Sequence, residues 1–316
     1  MRKMWESVCL IGLGNHAKTK ILPALIKNFD KDKISIVTRK KIDRNLNINY
    51  FKTLEESYKE NNKNSLYYLA TPPSLHYPQT KNILNNGFDV MVEKPSFISL
   101  EELNEINEIC NQKNLLMIEA KMYLENKICK ILSEFLQNNL DNITKIETNF
   151  TIPQIPKGTF RTEKNLSTSL LADIGCYPLS FLAANSINLS NLKIPSFERK
   201  ESRIIYNLFL KYKNFSFYSK IGLSNNYENN IKISLANNKS IEVNPFYYGR
   251  ETEIKIKSIS ESRCEDKTIL ENNAYEILLS RSRNYWESQK YIHFYRLKNV
   301  VKTLQRIAFE IDMDLK

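Results

Sequence analysis

Apolar residues recur along this chain in two rhythms that change over near residue 121. Before that point, short β-rich runs alternate with stretches of helical spacing, the pattern of a parallel sheet covered by helices. Strands are predicted at Ser7–Gly14, Lys33–Thr38 and Leu66–Thr71, in the run that ends at Glu93, and at Leu115–Ala120. Between them, Ala17–Asn28 sets Ile21, Leu22, Leu25 and Ile26 on one helical stripe. Further helices are predicted at Leu54–Asn61, at His76–Asn86 with Gly87 as its stop, and at Ser99–Asn111. The last of these opens on the capping box Ser99-x-x-Glu102.

After residue 121 a helix is predicted over Asn126–Asn138, and then alternation takes over. It marks strands at Ile143–Phe150, Arg203–Lys211, Phe215–Ile221, Asn230–Ala236 and Lys239–Val243. Short polar turns separate the last four, so the sheet should be largely antiparallel. Helices are expected at Ser169–Asn185 and Ala274–Ile311. The second is amphipathic, with Leu278, Tyr285, Tyr291, Leu297, Val301, Leu304 and Ile307 inward and a break near Lys290. Strands between Arg203 and Val243 should leave one broad apolar face uncovered. That predicts a homodimer or homotetramer built through the sheet.

A chain of 316 residues has room for two cores, and 42% hydrophobic against 26% charged residues is ordinary for a globular protein. No apolar run reaches the roughly 18–20 residues that span a bilayer. The first apolar run leads into glycines and reads as a strand rather than a signal peptide, so a cytoplasmic location is expected. Forty-six Lys+Arg against 35 Asp+Glu gives a formal +11. The lysines are spread among asparagines with no basic block, so the charge favours small anionic ligands over nucleic acid or membrane. Five scattered cysteines without C-x-x-C spacing, and three distant histidines, predict no metal site.

The first strand runs into Gly12-Leu13-Gly14-Asn15-His16-Ala17, a G-x-G-x-x-A turn that opens a helix. Gly12 permits the tight turn, Gly14 lets the backbone approach a pyrophosphate, and Ala17 is small enough for helix and strand to pack. Asn15 and His16 complete the turn at a helix N-terminus, where phosphate charge is stabilised. The first 121 residues thus read as a Rossmann dinucleotide-binding domain. Residues 122–316 read as an α/β domain with an open, largely antiparallel sheet. An NAD site ordinarily ends its second strand with Asp or Glu. Here Val37 is followed by Thr38, Arg39 and Lys40. Arg39 can fork onto a 2′-phosphate with Thr38 and Lys40 as further donors, which favours NADP(H) over NAD(H).

Three more motifs follow in order. They are Ala70-Thr71-Pro72-Pro73-x-x-His76, then Glu93-Lys94-Pro95, then Asp173-x-x-x-Tyr177. Together with the glycine turn, this series resembles the glucose–fructose oxidoreductase / inositol dehydrogenase / MocA (Gfo/Idh/MocA) family, and the resemblance spans most of the chain. It implies NAD(P)-dependent oxidation or reduction of alcohol and keto groups on sugars and cyclitols. It also implies an open sheet that commonly forms an oligomer interface. Lys94 matches the family's catalytic lysine, in a motif with Glu93. Asp173 and Tyr177 match its D-x-x-x-H/Y pair, which four-residue spacing puts on one helical face. Thr71, Pro72 and His76 match the segment lining the nicotinamide side, although His76 reads equally well as a residue that packs or caps its own helix. Residues 150–161, with Pro153, Pro156, Phe160 and Arg161, look like the segment before the catalytic helix of nucleotide-sugar ketoreductases. Ser167-Thr168-Ser169 stands where the family often has glycines.

The roles that follow are a positive field from Lys94, a proton from Tyr177 and orientation by Asp173. An unperturbed tyrosine titrates near pH 10, so at neutral pH Tyr177 starts protonated, ready to act as an acid, which favours reduction as the working direction. Lys94 is a rival donor to the same oxygen. A nucleotide-binding sensor of the same fold is the competing reading.

Overall fold

The computed structural model describes residues 5–39, 48–153, 169–200, 203–260 and 263–311. It divides into two compact units, Met1–Lys121 with Tyr275–Tyr295, and Met122–Ala274 with Arg296–Lys316. Residues 275–295, expected in the second domain, therefore belong with the first.

In the first unit, β1 (Ser7–Ile11), β2 (Ile34–Val37), β3 (Asn49–Phe51), β4 (Ser65–Leu69), β5 (Asp89–Glu93) and β6 (Met117–Ala120) form one sheet. Their order is β3-β2-β1-β4-β5-β6 and every pair is parallel. The strands β2, β4 and β5 are buried throughout, as expected where a sheet is covered on both faces. The helices are α1 (Leu22–Asn28), α2 (Leu54–Glu60), α3 (His76–Asn85) and α4 (Leu100–Lys113). A widened turn over Ala17–Ile21 leads into α1. Side-chain caps start two of the others: Thr53 accepts from the Glu56 amide at 3.2 Å, and Ser99 from the Glu102 amide at 3.3 Å. The chain runs outward from β1 to β3 and returns to β4 on the other side of β1. This switch point opens a crevice at the C-terminal ends of β1 and β4.

What draws 275–295 to this unit is a buried charge. Asp89 at the start of β5 accepts from Arg283 Nε at 2.7 Å, Trp5 Nε1 at 2.9 Å and the Leu116 amide at 2.9 Å.

The second unit holds α5 (Lys127–Asn138), β7 (Ile143–Ile152), α6 (Leu170–Ala184), β8 (Lys193–Lys200), β9 (Arg203–Tyr212), β10 (Phe215–Leu223), β11 (Glu228–Leu235), β12 (Ser240–Asn244), β13 (Thr252–Ser260) and β14 (Arg263–Glu271). The sheet order is β14-β13-β12-β11-β7-β10-β9-β8, antiparallel except for the β7–β10 pair. One face carries Ile146, Ile221 and Ile233 and is buried. There α6 lies so close that a Cβ on Gly175 would meet Ile221 Cδ1 at 3.1 Å.

The opposite face is not the broad apolar surface expected. Register aligns Glu147, Lys232, Glu242, Lys257 and Asp266 in one row across five strands, with alternating charge. Phe209 and Tyr218, their rings 5.1 Å apart, form an aromatic contact on that face.

The C-terminal helical stretch is α7 (Ala274–Ser280) followed by α8 (Arg283–Glu310). It breaks at residues 281–282 rather than near Lys290. The cause is local: Ser282 Oγ accepts from the Tyr285 amide at 3.2 Å and starts a new helix. Among the described residues, no helix is long and apolar enough to cross a membrane, and no cluster of three or more His, Cys, Asp or Glu could hold a metal.

Candidate active site

The glycine turn occupies the crevice at the switch point. Gly12 has φ of +88°, and its amide donates to the Val37 carbonyl at 3.0 Å. A Cβ there would also meet Thr71 Cγ2 at 3.0 Å and the Ala70 carbonyl oxygen at 3.2 Å, so only glycine fits both angle and space. Gly14 differs. A Cβ there would have nothing within 4 Å, so its backbone faces an open cradle. Asn15 and His16 are exposed beside it, and Ala17 is buried under the helix. The turn is therefore closed on its sheet side and open where a phosphate group approaches, which fits a dinucleotide. Thr38 is half-buried and Arg39 exposed just past the end of β2. Lys40 lies outside the described residues.

Glu93 closes the other side. His16 Nε2 lies 3.4 Å from its Oε1, and the Tyr68 hydroxyl donates to the same oxygen at 2.8 Å. The Tyr275 hydroxyl in turn sits 3.1 Å from His16 Nε2. Burial pushes the Glu93 carboxyl up. His16, the Tyr68 hydroxyl and the Lys94 charge outweigh it and hold the group below the usual carboxylate range. Lys94 itself is half-buried, with its amide 3.3 Å from Glu93 Oε2. Glycine turn and lysine loop thus meet through His16 and Glu93.

His76 lies behind this surface, 1% exposed, with Nδ1 and Nε2 each 2.9 Å from a carbonyl oxygen, those of Pro95 and Thr71. Burial lowers its pKa against the pull of both carbonyls and of Glu93 and Glu119. Its ring ties the Thr71 and Pro95 loops together. Thr71 and Pro72 are half-buried, and Thr71 Oγ1 donates to Gln79 Oε1 at 2.7 Å.

Sequence reasoning passed over a second carboxylate. Ser96 donates to Glu119 Oε1 from its amide at 2.9 Å and its hydroxyl at 3.1 Å. Lys121 Nζ lies 2.9 Å from Glu119 Oε2, both side chains almost fully buried. The Glu119 amide donates to His293 Nε2 at 2.9 Å. Burial raises the Glu119 carboxyl, but Lys121 and the Ser96 amide bring it below the ordinary value. The available signal was two charges in the otherwise apolar run Met117-Ile118-Glu119-Ala120-Lys121.

In the second unit, Ser169 caps α6 by accepting from the Ala172 amide at 3.2 Å. Asp173 and Tyr177 follow one turn apart on one face of the helix, and both are buried. The Tyr177 ring packs against Phe150, Tyr123 and Tyr247, at 4.9, 5.6 and 5.6 Å between centroids. Its carbonyl accepts from the Tyr123 hydroxyl at 2.7 Å. This aromatic wall fixes the ring direction. Pro156, Phe160, Arg161, Ser167 and Thr168 lie outside the described residues.

A family model described as an oxidoreductase family with an NAD-binding Rossmann fold, GFO_IDH_MocA, matches residues 7–120. The Rossmann unit is thus similar to the Gfo/Idh/MocA oxidoreductase family over those residues. Among curated relatives, D-xylose 1-dehydrogenase (NADP(+)) 2 of Haloferax volcanii is 25% identical over 115 residues, 36% of this chain and 35% of the relative. The dTDP-3,4-didehydro-2,6-dideoxy-alpha-D-glucose 3-reductase of Actinomadura kijaniata is 26% identical over 113 residues, 35% and 34% of the two chains. The matches thus span about a third of these relatives' length. In fold, the likeness extends further. A 3-ketoreductase from Actinomadura kijaniata, crystallised with NADP and TDP-benzene, superposes with a TM-score of 0.76 at 17% identity, over 95% of this chain and 97% of that one.

Proposed function

We propose that this chain is an NADP(H)-dependent oxidoreductase that reduces the keto group of a sugar-like substrate, with a nucleotide-linked keto-sugar as the favoured form. The observation that carries this reading is the open cradle at Gly14, tied through His16 and Glu93 to Lys94. The relatives support it: one is named for NADP(+) and a pentose, another for a nucleotide-linked sugar.

Backbone amides from Gly14 to Ala17 hold the pyrophosphate at the helix N-terminus, and Arg39 reads the 2′-phosphate. Bound NADPH supplies the hydride. Lys94 places positive charge beside the carbonyl oxygen as it becomes an alkoxide, in a site where limited water strengthens the field. Tyr177 gives that oxygen its proton, and Asp173 orients substrate hydroxyls.

The test is NADPH consumption over a panel of keto-sugars, free and nucleotide-linked. On a substrate that turns over, Lys94→Ala should lower kcat by about 10²–10³-fold, as for loss of one oxyanion donor. Tyr177→Phe should lower it by about 10²–10⁴-fold, the range for general acid catalysis. NADPH affinity should stay close to wild type in both. Wild-type rates in both variants would remove these roles. Tight NADPH binding with no consumption on any keto-sugar would identify a sensor instead.

A further inference from the structure

We propose that Glu119 and Lys121 form a buried positioning pair that fixes the Lys94 loop for the reaction. The inference rests on Lys94 being the group that acts on substrate. Lys94-Pro95-Ser96 is held by its backbone at three successive points. The Lys94 amide meets Glu93, the Pro95 carbonyl meets His76, and the Ser96 amide and hydroxyl both donate to Glu119 Oε1. The first two anchors belong to residues the family motifs already mark. The third is specific to the Glu119-Ala120-Lys121 strand end, and it provides two of the loop's hydrogen bonds.

Two donors on one oxygen call for a carboxylate, since hydrogen bonds to an ionised acceptor are roughly twice as strong as neutral ones. A lone carboxylate this deeply buried would take up a proton. Lys121, 2.9 Å from the second oxygen, keeps Glu119 ionised. It also cancels the charge, so that Glu119 does not weaken the Lys94 field as a second unpaired anion would. Lys121 lies just past the end of β6, where its amide donates to the Glu119 carbonyl at 2.8 Å, and this tight turn brings the two side chains of the Glu-x-Lys run together.

Stability alone does not account for the pair. A buried ion pair is often no more stabilising than apolar residues of the same volume, because both charges lose their hydration. What an apolar pair lacks is an acceptor for Ser96. The pair therefore serves geometry, and geometry matters here because a shift of about 1 Å in a reacting group can cost about 10²-fold in rate.

Two charge-neutral double variants separate the roles. Glu119→Gln with Lys121→Met keeps an acceptor oxygen for Ser96, whereas Glu119→Ala with Lys121→Met removes it. The first should retain kcat within about tenfold of wild type, since a neutral acceptor keeps the bonds at about half strength. The second should lose about 10²-fold in kcat. NADPH affinity and substrate KM should stay near wild type in both. A second readout does not need turnover: the rate at which a small acylating reagent labels Lys94, read by mass spectrometry at fixed pH. It should change in the alanine variant and stay near wild type in the glutamine variant. Equal kcat and equal Lys94 labelling in the two variants would overturn the proposal. If the wild-type protein reduces no keto-sugar, the functional reading fails by itself, and the labelling comparison still decides whether the pair positions Lys94. If either variant fails to fold, the single Ser96→Ala variant removes the hydroxyl donor and leaves the ion pair intact. Its labelling rate should then move part of the way, and an unchanged rate would count against the anchor.

Discussion

Arg39 stands two residues beyond Val37, whose carbonyl accepts from the Gly12 amide, so the strand end and the glycine turn share a hydrogen bond. An exposed guanidinium at that place can fork onto a ribose phosphate, whereas a carboxylate would repel it. Arg39→Ala should therefore weaken NADPH by about 1.5–3 kcal/mol, the range for a hydrogen bond to a charged group, and leave NADH nearly unchanged. Titration of the cofactor's fluorescence with each nucleotide would measure this, and equal losses for both would assign the 2′-phosphate elsewhere. Much at this scale was legible in the sequence. Gly12 and Ala17 signal themselves because each is a residue type that its place demands, and Glu93-Lys94-Pro95 stands at the strand end where the apolar run stops. Glu119 and Lys121 were visible as misplaced charges, but their use was not. Nothing local to residues 119–121 says that Ser96, 23 residues earlier, supplies the donors.

At the scale of elements, the strand β5 carries a strong constraint at its first residue. Asp89 is buried with Arg283 and Trp5 on the same oxygen. Removing one partner of a buried ion pair strands the other without hydration, at a cost of about 3–5 kcal/mol. Arg283→Ala should therefore lower stability by about that much in denaturant unfolding, while Glu287→Ala, at an exposed i+4 partner of the same arginine, should cost little. A loss below about 1 kcal/mol for Arg283→Ala would mean that water reaches Asp89. The elements read correctly from sequence share one property: each buries at least one face, so it shows either a period or, as in β2, β4, β5 and α6, an almost unbroken apolar run. The predicted α6 bounds of 169–185 lie within a residue of the observed Leu170–Ala184. The strands β8, β13 and β14 escaped notice because they have little or no buried face. In β8 and β14 almost every residue is exposed or half-exposed, so no alternation was available to read. The helix break was misplaced for a related reason. Ser282 is a capping residue, and caps are signalled by one side chain rather than by a period.

At the scale of the molecule, the open sheet face bears on assembly. We propose that it joins copies into a homodimer or homotetramer, but through charge rather than through the apolar surface first expected. A row that alternates Glu147, Lys232, Glu242, Lys257 and Asp266 meets an inverted copy of itself with opposite signs facing when the two rows are offset by one strand. Such a contact is sensitive to screening. Sedimentation should show association weakening between about 0.01 M and about 1 M salt, as the screening length drops from about 30 to about 3 Å. A monomer mass at every protein and salt concentration would rule the assembly out.

The allocation of residues 275–295 to the first unit has a further meaning for how this gene could be cut and joined. A fragment ending at Lys121 carries the whole parallel sheet, the glycine turn and Lys94, yet it is not a portable module. It lacks Arg283 for Asp89, Tyr275 for His16 and His293 for the Glu119 amide. Grafting the cofactor-binding part onto another protein would therefore require two crossover points, with the late segment brought along, and a single early splice would deliver a sheet with its deepest charge unmet. Selection on recombined descendants should thus act on residues 1–121 and 275–295 together.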